Sequence, residues 1–134
     1  SYTRSVAARA RRLGVSVVFH GRVSDEELEG AYHGAHVLAV PSLHEGFGIV
    51  YLEALKRGVP VVASVRGGAV EIVTTPESGR LVHPRRTGEI RKALRELCEM
   101  RGQAASGARE RDAFFSDWAT SMAGAVRFLE HLVS

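Results

Sequence analysis

Apolar and polar positions along this chain switch between helical and strand-like spacing, and the switches mark its elements. Alanines and arginines recur at helical spacing from Thr3 to Leu13, where Gly14 supplies a stop. Val15 to Phe19 is a β-branched run that reads as a short strand ending at His20-Gly21. Ser24-Asp25-Glu26-Glu27 has the form of a capping box and opens a helix through Leu28, Ala31 and Tyr32, closing near Gly34. Val37 to Pro41 is the next strand. Gly48 to Arg57 is helical, and Gly58 suits the left-handed position just past its end. Pro60 to Ser64 reads as a strand, Ala69 to Val73 as one or two helical turns, and Gly79 to His83 as a strand ended by Pro84. Thr87 caps a helix with Ile90, Leu94 and Leu97 at helical spacing. Gly102 to Gly107 breaks it, and Ser116 caps a last helix with Trp118, Met122, Val126 and Leu129 on one face.

Short strands separated by helices predict an α/β fold, a Rossmann-like parallel sheet of about four strands with helices on both faces. A length of 134 residues suits one domain around one core, covering 1–134. Apolar content of 45% and charged content of 25% are those of an ordinary globular protein and exclude a disordered chain. No apolar run approaches the ~20 residues needed to span a bilayer, and no signal peptide is recognisable. The single cysteine, Cys98, cannot form an internal disulfide, which points to a cytoplasmic setting. The net charge of +3 comes almost wholly from arginine, but the arginines are dispersed. There is no basic stripe interleaved with aromatics, so nucleic acid is not an expected partner. A membrane surface finds a candidate only in the first helix, with Arg4, Arg9, Arg11 and Arg12.

The chemistry concentrates between Pro41 and Leu55. A strand ends in Pro41-Ser42, a loop carries Glu45-Gly46-Phe47-Gly48, and a helix follows with Glu53 in it. Ligands of α/β sheets sit at the carboxyl ends of strands. Phosphates favour helix N-termini, where free amides and the helix dipole meet them. Two carboxylates beside such a seat suit hydroxyls, those of a ribose or a sugar. Gly46 and Gly48 permit positive φ and a close backbone approach. Phe47 serves either the core or a sugar contact. Glu53 stands about 7 Å along the helix axis from Gly48. It is a surface residue favoured by the helix dipole or, flanked by Leu52, Ala54 and Leu55, a carboxylate that needs a partner. Gly67 and Gly68 are either a plain turn or a second close approach, and Glu71 can pair with an arginine. His20 and His44 lie at strand ends, and no H-x3-H or C-x2-C spacing suggests a metal.

Taken in register, these residues resemble a known family. The E-x7-E pair of Glu45 and Glu53 is followed by Gly58-Val59-Pro60-Val61-Val62-Ala63, then Gly67-Gly68-Ala69-Val70-Glu71-Ile72-Val73, then Gly79-Arg80-Leu81-Val82. The series looks like the C-terminal, donor-binding half of a retaining, nucleotide-sugar-dependent glycosyltransferase of the GT-B fold, family 4 type. It runs from about Val15 to Pro84 and more loosely onwards through Phe115 and Trp118. The resemblance implies that Glu45 is the catalytic carboxylate facing the transferred sugar. It implies that Gly46, Phe47, Gly48, Ile49, Val50, Gly67 and Gly68 line the sugar and diphosphate. Glu53 would take the ribose hydroxyls, and Arg22, Val23 and Ser24 the base. It implies a nucleoside-diphosphate sugar as donor, with no metal and no other cofactor.

The family also has two βα units before the helix at Thr3, carrying a Gly-Arg motif and a lysine for the diphosphate, and a separate acceptor half. The 134 residues contain neither, so the chain resembles part of an enzyme, inactive alone and completed by an acceptor half or a complementary chain. Self-association through open strand edges is a further expectation. Arg66 is the one basic residue placed to stand in for the diphosphate cations. Two other classes stay open: a catalytically silent nucleotide-sugar binding module, and an assembly piece that needs a second chain. Within the enzymes, a sugar-nucleotide epimerase of the same fold is a further alternative.

Overall fold

The computed structural model describes residues 1–43 and 48–105, and contacts divide the chain into two compact units at Gly30. The last predicted helix, from Ser116, lies outside the described residues.

The first unit opens with α1 (Tyr2–Arg12), whose N-cap Ser1 accepts the Arg4 amide. The helix stops as its glycine predicts. Gly14 adopts φ 68°, its amide donates to the Arg11 carbonyl, and the Val15 amide reaches back to the Ala10 carbonyl at 2.9 Å. That pair of bonds is a Schellman closure. The run from Val15 to Phe19 does not become a strand. Val18 is 69% and Phe19 50% exposed, and among the described residues no neighbouring strand pairs with this segment. A β-branched sequence favours a strand only where a ladder and a packed face receive it. The fourth strand is therefore absent from the described sheet. The capping box forms as read. The Glu27 amide donates to Ser24 Oγ at 3.1 Å, and the Ser24 amide donates to Glu27 Oε2 at 2.8 Å, opening α2 (Asp25–Gly34).

The second unit takes in the last turn of α2, from Ala31 and with Tyr32 in it, and then runs β1 (Leu38–Val40), α3 (Ile49–Lys56), β2 (Val61–Ser64), α4 (Ala69–Ile72), β3 (Gly79–Val82) and α5 (Thr87–Ala105). The strands form one parallel sheet in the order β1-β2-β3, with Leu38 opposite Val61 and Val61 opposite Gly79. Helices cover both faces of β2. Val61 and Ala63 point into a core with Tyr51, Leu52 and Leu55 of α3 and Ala69 and Ile72 of α4. Val62 points the other way, to Val82 and to Ala93 and Leu97 of α5. Every residue of β2 is buried, as expected for a parallel strand covered on both sides. Leu55 and Leu97 are fully buried, and each contributes about 1.5–3 kcal/mol relative to exposure.

Two details fix the sheet. Gly79 has φ 153°, and a Cβ there would fall 2.0 Å from the Val61 carbonyl oxygen, so only glycine lets β3 lie this close to β2. Arg80 ties β3 to α5 through Glu96 at 3.0 Å. Helix α5 takes in Gly102 and is described to Ala105, within the predicted Gly102–Gly107 break, the rest of which lies outside the described residues. One glycine costs a helix about 1 kcal/mol, less than a packed apolar stripe returns. Thr87 is the first helical residue, not the cap: the Glu89 and Ile90 amides both donate to the Arg86 carbonyl, which places Arg86 at the cap position.

Candidate functional site

The carboxyl ends of β1, β2 and β3 share one sheet edge, and three loops leave from it. The first leads into α3. Tyr51, fully buried in the first turn of α3, donates its hydroxyl to the Val40 carbonyl at 2.6 Å. The Ser42 amide donates to the same oxygen at 2.8 Å. A buried phenol needs an acceptor, and here the acceptor is the last carbonyl of β1, so the start of the helix is stapled to the end of the strand.

Gly48 precedes the helix in the left-handed region, with φ 71°. A Cβ there would lie 2.9 Å from Ile72 Cδ1 and 3.0 Å from Tyr51 Cδ2. The left-handed backbone demands glycine, and a Cβ would also have to push Ile72 and the Tyr51 ring aside. The Gly48 carbonyl accepts the Tyr51 and Leu52 amides, so the ladder begins here. The Ile49 and Val50 amides belong to the first turn, where helical geometry provides no acceptor and the dipole is positive. Gly48 contributes no side-chain cap. Ile49 is half-exposed, while Val50 packs against the core. At the far end Gly58 takes φ 73°, its amide donating to Leu55 and the Val59 amide to Ala54. The helix is thus held at both ends.

Glu53 sits on α3 between the buried Leu52 and Ala54, itself half-buried. Its Oε2 faces the hydroxyl of Tyr32 at 3.4 Å. The Arg57 guanidinium stacks over the Tyr32 ring, 4.9 Å from its centroid, and donates through Nη1 to the Glu53 carbonyl at 2.7 Å.

The second loop follows β2. Ser64 is fully buried, and its Oγ accepts the Arg66 amide at 3.0 Å. Gly67 follows with φ 106°, and Gly68 caps α4. Arg66 and Glu71 are exposed. The third loop follows β3 and is closed by Glu89. Its Oε2 accepts the His83 amide at 2.9 Å, and its Oε1 pairs with Arg86 at 3.0 Å. These bonds, the His83 amide foremost, hold the Glu89 carboxyl below its ordinary range.

Gly48, Gly67 and Gly68 therefore come from loops at one edge of the sheet, with Ile49, Val50 and Glu53 on the helix that starts there. Glu45, Gly46 and Phe47, and His44 beside them, lie outside the described residues. Arg22, Val23 and Ser24 belong to the first unit, where Ser24 serves the capping box. Sequence reasoning missed the two tyrosines. A tyrosine inside an apolar helix, as Tyr51 is, was the available signal, because its hydroxyl must be satisfied.

A glycine-started helix at the carboxyl edge of a parallel sheet is a place where α/β proteins bind ligands, and comparison with known proteins shows the family. The family described as "Glycosyl transferases group 1" matches residues 2–111, and the chain belongs to it. The MMP alpha-(1->4)-mannosyltransferase of Mycolicibacterium hassiacum is 36% identical over 130 residues, covering 91% of this chain and 31% of that protein. A GDP-mannose-dependent alpha-(1-6)-phosphatidylinositol monomannoside mannosyltransferase of Mycobacterium tuberculosis is 35% identical over 127 residues, 87% of this chain and 33% of that protein. Among solved structures, sucrose-phosphate synthase from Thermosynechococcus elongatus superposes with a TM-score of 0.65 at 29% identity, covering 96% of this chain and 34% of that one. The chain thus spans about a third of the length of these relatives. Among the described residues no helix is long and apolar enough to cross a membrane.

Proposed function

We propose that this chain is the donor-binding part of a retaining glycosyltransferase of family 4 type, transferring a hexose from a nucleoside-diphosphate sugar to an acceptor hydroxyl. The observation that carries the reading is the start of α3: a left-handed glycine before the helix, a first turn stapled to the end of β1, and a half-buried carboxylate further along the same helix. The diphosphate meets the Ile49 and Val50 amides. Glu53 accepts both hydroxyls of the ribose, which a carboxylate does better than an amide oxygen. Glu45 faces the sugar hydroxyls, with Gly46, Phe47, Gly67 and Gly68 around sugar and diphosphate. Arg22, Val23 and Ser24 take the base.

In the reaction the acceptor oxygen bonds to the anomeric carbon and loses its proton, while the bond from that carbon to the diphosphate oxygen breaks. The leaving diphosphate oxygen keeps the electron pair and takes up the proton that the acceptor loses. Amides already aimed at that oxygen stabilise the charge as it develops. The acceptor comes from a second half or a complementary chain, consistent with the share of the relatives that this chain spans. The reading assigns no metal, so chelation with EDTA is expected to leave transfer unchanged. It places the reaction in the cytoplasm. One relative is named for GDP-mannose, which makes that the first donor to test.

In the complete protein, Glu53→Gln is expected to weaken GDP and other nucleoside diphosphates about tenfold or more, since a charged hydrogen bond is worth about 1.5–3 kcal/mol. Glu45→Gln is expected to spare the bare nucleotide and weaken only the sugar-bearing donor. Calorimetric titration of both variants with GDP and GDP-mannose tests the division. Equal losses of GDP in both variants, or a Glu53→Gln protein that binds normally, would sink it.

A further inference from the structure

We propose that Tyr32 is a positioning residue of the donor site, holding the Glu53 carboxylate in the orientation that reads the ribose, and that Arg57 in turn holds Tyr32. The inference rests on the ribose role proposed for Glu53. Its observation is a closed loop of contacts. Tyr32 Oη donates to Glu53 Oε2, Arg57 lies over the Tyr32 ring, and Arg57 Nη1 donates to the Glu53 backbone carbonyl.

Each contact has a physical consequence. Tyr32 is 6% exposed and belongs to the core with Tyr51 and Leu55, so its ring is fixed by packing. Arg57 follows Glu53 by one helical turn, so the guanidinium is anchored to the helix whose carboxylate it helps to place. A cation over the face of a tyrosine is attracted by the ring quadrupole. The carboxylate of Glu53 would otherwise choose among several rotamers. The Tyr32 hydroxyl selects one and occupies one lone pair of Oε2. A carboxylate has about four acceptor sites, so a vicinal diol still finds two. At 3.4 Å the bond is at the long end for a hydroxyl donor. It orients the carboxylate without locking it, and leaves it free to advance on a ligand.

Tyr32→Phe removes the hydroxyl and keeps the ring and its packing. The test is calorimetric titration of the complete protein with ADP, GDP and UDP, followed by the 2′,3′-dideoxy form of whichever binds tightest. It compares wild type, Tyr32→Phe, Glu53→Gln and the double variant. Tyr32→Phe is expected to weaken the ribonucleotide by about three- to tenfold. It should leave the dideoxynucleotide unchanged, and add nothing once Glu53 is glutamine. Arg57→Gln, which frees the ring and leaves the hydroxyl, is expected to shift affinity the same way by a smaller factor, and thermal melts establish that each variant is folded. If Glu53→Gln weakens the ribonucleotide and Tyr32→Phe does not, the positioning role fails while the ribose reading stands. Equal losses for the dideoxynucleotide, or additive losses in the double variant, also overturn it. If Glu53→Gln itself changes nothing, the ribose reading and this inference fail together.

Discussion

Helices α3 and α5 both begin at the carboxyl edge of the same parallel sheet, yet their first turns are finished in opposite ways. The start of α5 carries its own anion. Glu89 accepts the His83 amide and pairs with Arg86, and the loop after β3 is closed by the chain itself. The start of α3 has a glycine at the cap and no side chain to offer. The positive end of a helix attracts a negative group in either case. In α5 the group is built in, so the turn is a structural joint. In α3 the described residues supply no such side chain, and packing fixes the turn: Tyr51 staples it to Val40, and Ile72 lies against Gly48; in the proposed function the negative group is the donor diphosphate.

The comparison breaks most visibly at Gly48. Gly48→Val sets a β-branched residue at φ 71° against Ile72 and Tyr51. Left-handed strain and crowding together are expected to cost roughly 3 kcal/mol. Denaturant unfolding should show the loss, accompanied by failure to bind nucleoside diphosphate. Near-wild-type stability would mean that the turn is not as tight as described. Ser24→Ala tests a start that is capped internally. It removes the hydroxyl that receives the Glu27 amide and is expected to cost about 1 kcal/mol.

Glu89→Gln should have the smallest effect, a slight fall in melting temperature with unchanged nucleotide affinity. Its pH dependence is diagnostic. Because hydrogen bonds hold the folded carboxyl below its ordinary range, its contribution is full above the unfolded value of about 4.3 and is lost as pH falls through the lower, folded one. The gap in melting temperature between wild type and Glu89→Gln should therefore close on acidification from pH 7 towards pH 3. A gap that widened would contradict the assignment.

Elements whose partners lie close in sequence were legible from residue type alone. The Ser24–Glu27 box and the glycine closures at Gly14 and Gly58 formed where read, because capping is settled within a few residues. So did the α3 glycine start and β2, which is apolar up to Ser64. The misreadings share a different cause. Val15 to Phe19 has strand composition, but a strand requires a neighbour, and composition cannot supply one. The predicted break spans Gly102 to Gly107: α5 takes in Gly102 and is described to Ala105, and the rest of that span lies outside the described residues. Thr87 has the chemistry of a cap, while the carboxylate that closes the turn is Glu89, reaching back to His83. The carboxylate at Glu53 was visible in the E-x7-E spacing, but Tyr32, 21 residues earlier, was not connected to it. Contacts of that separation depend on the fold.

In the proposed function the start of α3 seats the diphosphate and the start of α5, closed by Glu89, does not. Amide resonances report it directly. In the complete protein, 15N-labelled, titration with GDP or whichever nucleoside diphosphate binds tightest is expected to shift the Ile49 and Val50 amides to saturation, with Glu53 following. The Thr87 and Gly88 amides at the start of α5 should stay in place. Shifts centred on α5 with Ile49 and Val50 unmoved would contradict the account.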